Sequence, residues 1–179
     1  LKYIAGEINS VQLTFARFFI GFLFLAPLAW RTLKKRGLTL DAGSLRYFVL
    51  LGLVGIAICM PIYQLSVNYT DSGVVAVLFS CNPVFVTFLA FLLLGGPIRR
   101  RHVAALILEV AGTIAIINPF HTRLNPVGVV LSLTATILFS IYGVMGKKKV
   151  AQYGGAVVTC FSFLFGSLII LVLIGVSHI

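Results

Sequence analysis

Acid is what this chain lacks. Only four of its 179 residues are Asp or Glu, against fourteen Lys and Arg. Four carboxylates scattered at Glu7, Asp41, Asp71 and Glu109 make no pair for general acid–base work and no cage for a hard cation. Cysteine is equally sparse: Cys59, Cys81 and Cys160 stand far apart, with no CxxC and no His at ligand spacing. That excludes a disulfide framework and a zinc site. The three histidines, His102, His121 and His178, have no Ser, Cys or carboxylate arranged with them as a catalytic set. No enzyme, cofactor or metal is therefore expected. The chain opens on Leu rather than Met, with no basic n-region and small-residue cleavage site, so a signal peptide is not visible and a fragment is the expectation.

Apolar residues fill the space left by charge. With 60% hydrophobic and 10% charged residues and a mean hydropathy of +1.10, the chain has too little polar surface to coat a soluble globule, and its solvent is lipid. A net charge of +10 might suggest nucleic acid, but the cations sit in loop clusters between apolar runs rather than on a water-soluble face. Nucleic acid is excluded as a partner on that ground.

A span needs about 20 apolar residues to cross roughly 30 Å of hydrocarbon. Six stretches qualify: 11–30, 47–66, 72–94, 102–119, 126–146 and 157–176. None alternates as a barrel strand does, and backbone polar groups in lipid must be paired internally, so all six are expected as helices of an all-α, polytopic transmembrane bundle. The cations sort by gap. Arg31, Lys34, Lys35, Arg36 and Arg46 follow the first stretch, Arg99 to Arg101 the third, and Lys147 to Lys149 the fifth, eleven in all. Only Lys2 and Arg123 lie on the other side, and Arg17 lies within a span. Short loops rich in Lys and Arg stay cytoplasmic, which places both ends of this segment outside a cell (inner or plasma) membrane and suggests that another span precedes it.

The sequence also repeats weakly. Thr14, Phe18 and Gly21 in the first stretch match Thr159, Phe163 and Gly166 in the sixth at one constant offset. The two segments lie five spans apart, an odd number, so the second copy crosses in the opposite direction, as in an inverted-topology repeat whose substrate site forms near the bilayer midplane.

Several polar or helix-breaking residues lie inside the apolar stretches. Glu109 comes eight residues into the fourth, about 12 Å at 1.5 Å per residue. A carboxyl at that depth faces a cavity, pairs with a cation or stays protonated, and in a proton-coupled carrier it exchanges a proton for substrate. A neutral Glu hydrogen-bonded to a neighbouring helix is the structural alternative. Arg17 either snorkels to the interface, pairs with Asp71 or Glu109, or binds a substrate anion. Asn82-Pro83 lies mid-span, where proline frees a carbonyl that a neighbour, water or substrate must satisfy; a packing kink is the plainer reading. Pro61 repeats the feature one span earlier, on a helix whose Gly52, Gly55, Cys59, Tyr63 and Ser66 share one small, mildly polar face suited to packing or to lining. Gly128, Ser132, Thr136 and Ser140 recur every four residues, a stripe that lets helices approach closely. Tyr142 is a candidate substrate contact, with the cytoplasmic aromatic belt as its default, and Trp30 beside Arg31 is a belt residue.

The order of these features resembles the EamA-type permeases of the drug/metabolite transporter superfamily. The run from Asn68 to Leu78 followed by Asn82-Pro83-Val84-Phe85 is similar to that family's third-to-fourth span segment, Arg17-Phe18 to the "RF" early in its second span, 102–118 with Gly112 to its fifth span, and Asn125-Pro126-Val127-Gly128 to the opening of its second repeat. One departure is that Gly95-Gly96-Pro97 follows Leu94 where many members place an acidic residue. The resemblance implies ten spans in two inverted five-span repeats, of which this chain holds about the second to the seventh: 1–119 as the remainder of the first and 120–179 as the start of the second. It also implies a secondary transporter moving small metabolites such as amino acids, sugars or drug-like compounds by alternating access, either linked to protons or by exchange. Glu109, Asn82, Pro83, Arg17, Tyr63 and Tyr142 are the candidate substrate-binding residues. The alternative is a structural or signalling membrane protein that transports nothing.

Overall fold

A computed structural model describes residues 10–94, 103–104, 107–108, 111–112 and 125–177. Every regular element among them is helical: α1 Ser10–Arg36, α2 Ala42–Gly52, α3 Cys59–Tyr69, α4 Ser72–Ser80, α5 Asn82–Leu94, α6 Pro126–Tyr153 and α7 Gly155–Ser177, with a π-helical segment Leu53–Ile58 joining α2 to α3. Five continuous or nearly continuous helices are long and apolar enough to cross a membrane: Val11–Arg36, Ala42–Tyr69, Ser72–Leu92, Pro126–Tyr153 and Gly155–Gly175. They coincide with five of the six expected stretches. Most of the remaining one, 102–119, lies outside the described residues.

Local chemistry sets the helix ends. Lys34, Lys35 and Arg36 occupy the last turn of α1, complementing the negative end of its dipole. The helix then closes in a Schellman pattern, Leu38 N donating to Leu33 O and Gly37 N to Lys34 O. Asp41 caps α2 by accepting from Ser44 N at 3.2 Å, and Asp71 caps α4 by accepting from Gly73 N at 3.0 Å. Asn125 accepts from Val127 N at 2.9 Å, with Pro126 in the first helical turn where its missing N–H costs nothing. Gly154, at φ +92°, makes the turn from α6 to α7 that a residue with a Cβ would resist.

The two mid-span prolines act differently. At Pro83 the span breaks: α4 ends at Ser80, Cys81 leaves helical geometry at ψ 2°, and α5 restarts at Asn82. At Pro61 the helix runs on through α3, and the irregularity is the preceding π segment. Pro61 has no N–H for the carbonyl of Ala57, and a π turn is a common way to absorb such a mismatch without breaking the rod.

The described residues up to Pro61 together with those from Met145 onward form one compact unit; Ile62–Val144 contain the other. In the first unit α1 and α7 run antiparallel: Arg36 at the end of α1 donates to Gln152 O just before α7 begins, while Val11 and Phe15 pack with Ile170 and Ile174 at the opposite end. Phe18 meets Phe163 edge-on, with ring centroids 5.0 Å apart, and these are matched positions of the sequence repeat. Closer still is the crossing of α2 and its π segment with α7. A Cβ on Gly52 would lie 2.7 Å from Gly166 N, and one on Gly166 would lie 2.6 Å from Ile56 Cβ. Backbone thus touches backbone, as small residues allow in lipid, where apolar side chains gain nothing by leaving the solvent.

Candidate functional site

In the second unit, α6 lies along α4 and the start of α5, and its four-residue stripe provides the contact. Gly128 leaves room for Thr70, since a Cβ there would come within 2.8 Å of Thr70 Cβ. Ser132, Thr136 and Ser140 follow at successive turns, each fully buried. Their hydroxyls reach three levels of the facing span: Ser132 Oγ lies 3.4 Å from Val75 O, Thr136 Oγ1 3.4 Å from Leu78 O, and Ser140 Oγ 2.6 Å from Asn82 Oδ1. Thr136 and Ser140 also sit 2.8 Å and 2.7 Å from the carbonyls one turn back on α6. Each hydroxyl has one proton, so it donates to one of these acceptors at a time.

The last rung falls at the broken span. Asn82 and Pro83 begin α5 immediately after the Cys81 break, so the short Ser140–Asn82 bond braces the place where the helix ladder is interrupted. Beside it run four rings in sequence. Tyr63 of α3 meets Phe79 edge-on at 4.8 Å, Phe79 meets Phe139 at 5.2 Å, and Phe139 meets Tyr142 at 5.4 Å. All four rings are half-buried, as is Asn82, whereas Pro83 is exposed. A neutral hydrogen-bonding pair next to half-open aromatic faces can hold a planar or apolar group and orient a polar one, without a fixed charge of its own.

Of the six residues expected from sequence, Tyr63, Asn82, Pro83 and Tyr142 therefore share this unit; Tyr63 and Tyr142 are linked through Phe79 and Phe139, and Asn82 is bonded to Ser140. The Tyr142 ring lies beside that of Phe139. Trp30 is exposed, as a belt residue is. Arg17 is on the exposed flank of α1 in the other unit, and Asp71, one of its expected acid partners, serves as the cap of α4. Glu109 lies outside the described residues. Phe79 and Phe139 were missed as site residues, although each stands three positions before a candidate, Asn82 and Tyr142, and so on the same helix face. Ser140, read as packing, is both packing and the partner of Asn82.

A second polar cluster, in the first unit, was not anticipated. At the basic end of the bundle, Tyr153 Oη donates to Asp41 Oδ1 at 2.9 Å and lies 3.0 Å from Ser44 Oγ. Lys149 Nζ donates to Ser44 Oγ at 2.6 Å and sits over the Tyr153 and Tyr47 rings, 5.5 Å and 5.9 Å from their centroids. Tyr47 Oη donates to Met145 O at 2.7 Å. The bonds from Ser44 and Tyr153 hold the Asp41 carboxyl down to about 2.

The model of the EamA-like transporter family matches residues 1–118. The chain belongs to that family. An uncharacterized transporter of Clostridium kluyveri is 32% identical to this EamA-like chain over 178 residues, 96% of the chain and 57% of that protein. One from Archaeoglobus fulgidus is 26% identical over 96% of the chain and 59% of its own length. Protein PecM of Dickeya dadantii is 32% identical over 58% of the chain and 34% of its own length. The EamA-like chain thus spans somewhat over half the length of the first two relatives. No solved structure matches it. Family and apolar helices together make it an integral membrane protein of a transporter family, with the bilayer as its surroundings.

Proposed function

We propose that this chain is part of a secondary transporter that carries small metabolites across the membrane by alternating access, and that the aromatic and amide group around Tyr63, Phe79, Asn82, Phe139, Ser140 and Tyr142 contacts the substrate. The observation that carries the reading is the broken span at Asn82-Pro83, braced by Ser140 beside half-open rings. Interrupted helices near the midplane are where transporters of this kind expose backbone groups to a cargo. The lining described has no charge, which favours amino acids, sugars or drug-like compounds bound through neutral hydrogen bonds and ring faces. Residues 1–119 are the remainder of a first repeat and 120–179 the start of an inverted second one. The antiparallel packing of α1 on α7, with Phe18 against its counterpart Phe163, is what a two-fold axis through that contact produces, and the family match ending at 118 supports the same boundary. Glu109 is the proton-carrying group.

The test is an efflux and uptake screen on cells making the full-length protein, over panels of amino acids, sugars and hydrophobic toxicants. Asn82→Ala is expected to lower transport of any hit at least tenfold at equal protein level, as loss of a buried polar contact to cargo does. Glu109→Gln is expected to flatten the pH dependence. Unchanged rates in Asn82→Ala remove the site; an unchanged pH profile in Glu109→Gln removes the carboxyl from the mechanism.

A further inference from the structure

We propose that the basic end of the first unit is a binding surface for anionic phospholipid: the head group rests on Arg31 and Lys35 at the end of α1, and an acyl chain lies along Leu28 and Phe24 beneath them. Eight of the chain's fourteen cations, Arg31 and Lys34 to Arg36 on α1, Arg46 on α2 and Lys147 to Lys149 on α6, belong to this one unit. The fold draws three helix ends together there. Gln152 accepts from Arg36 through its carbonyl and from Lys149 through its side chain, both at 3.4 Å, while Lys149 also donates to Ser44 Oγ at the start of α2.

The protein's own carboxylates do not balance this charge. Asp41 is the one acid among the described residues of the unit, and its oxygens accept from Ser44 N and Tyr153 Oη rather than from a cation. The ammonium of Lys149 is taken up by Ser44, Gln152 and the Tyr47 and Tyr153 rings. Arg31, Lys34, Lys35, Arg46, Lys147 and Lys148 are exposed and have no hydrogen-bond or ion-pair partner among the described residues. Like charges crowded at the rim of an apolar bundle repel one another, and anionic head groups brought among them relieve that repulsion.

Helical spacing decides that the anion is a lipid. Phe24, Leu28, Arg31 and Lys35 follow at i, i+4, i+7 and i+11, so they form one stripe of α1. Phe24 is 80% exposed and Leu28 53%, with Trp30 beside them at 72%. A soluble phosphate would satisfy the cations and leave two turns of apolar surface bare, whereas a phospholipid covers both parts. From Phe24 to Arg31 the helix rises about 10 Å, a length that the first part of an acyl chain spans. The Trp30 indole N–H offers a further donor at head-group level. A zwitterionic lipid carries the same phosphate but brings a cation of its own, which Arg31 and Lys35 repel.

This inference stands apart from the transport reading, and its test needs no cargo. The full-length protein in neutral detergent is titrated with phosphatidylglycerol and with phosphatidylcholine of identical chains, and bound lipids are counted by native mass spectrometry. Phosphatidylglycerol is expected to bind at least fivefold more tightly. Arg31→Gln combined with Lys35→Gln should weaken it roughly fivefold for each charge removed, the effect of one cation at an anionic surface, and leave phosphatidylcholine unaffected. That unchanged neutral lipid also reports an intact fold. Arg31→Lys with Lys35→Arg keeps the charge and should keep the preference, while Phe24→Ser should weaken both lipids alike. Equal affinity of the wild type for the two lipids, or a preference that the double glutamine variant retains, overturns the proposal. Displacement of bound phosphatidylglycerol by millimolar glycerol 3-phosphate overturns it as well, because the surface would then be a site for a soluble anion.

Discussion

Replacing Gly166 by Ala sets two effects of opposite sign against each other at the crossing of α7 with α2. The added Cβ would lie 2.6 Å from Ile56 Cβ, 2.7 Å from Ile56 Cγ2 and 3.1 Å from Gly52 O. Carbon atoms prefer about 3.5–4.0 Å, so the two helices must separate by roughly 1 Å. Ile56 cannot relieve the clash by changing rotamer, because its Cβ is fixed to the backbone and the residue is only 1% exposed. Overpacking of this kind costs about 1–3 kcal/mol, while alanine in place of glycine favours the helix by about 1 kcal/mol. Gly175→Ala near the end of the same helix isolates the steric part, since no atom lies within 4 Å of a Cβ there. Reversible unfolding of both variants in mixed micelles, titrated with dodecyl sulfate, should rank Gly166→Ala below Gly175→Ala by about 1–3 kcal/mol. Equal stability, or the reverse order, would refute the backbone contact inferred at Gly52 and Gly166.

Two further outcomes are expected. Ser140→Ala removes the 2.6 Å bond to Asn82 Oδ1 and should destabilise the protein by about 0.6 kcal/mol, at most roughly 1.7, the range for interhelical hydrogen bonds in membranes; a larger loss in the same unfolding titration would mean that the broken span depends on this brace alone. The Asp41 carboxyl is held near 2 against an ordinary 3.8. A depressed carboxylate contributes stability above its unfolded value and loses it as pH falls through the folded one, so resistance to unfolding should stay constant from about pH 8 to 5 and fall by the Asp41 contribution only between about 4 and 2. A step near pH 6 that Asp41→Asn leaves in place would show that another group governs the loss.

How much was legible in the sequence differs from element to element. Spans were readable because each is a run long and apolar enough by itself; their ends were less so, since α2 starts at Ala42, five residues before the expected stretch, where the Asp41 cap rather than hydropathy sets the boundary. The break at Pro83 was readable, a missing N–H being a property of the residue. At Pro61 the missing N–H was equally readable, but not that a π segment ahead of it would absorb the defect, since the cost of that segment depends on what packs beside it. Arg17 and Tyr142 were assigned by depth in the span, which does not say which way a side chain turns.

Composition and order alone therefore determined that the chain crosses a membrane as helices, roughly where those spans lie, and which family it resembles. These are short-range consequences of hydrophobic length, proline and capping. Only the tertiary structure decided that Asn82 meets Ser140, that Phe18 meets Phe163, and that Asp41 and Lys149 are gathered by Ser44 and Tyr153. Those pairs lie tens to more than a hundred residues apart, and in lipid no hydrophobic pattern announces which polar face will seek which partner. Close backbone packing at Gly52, Gly128 and Gly166 makes the choice.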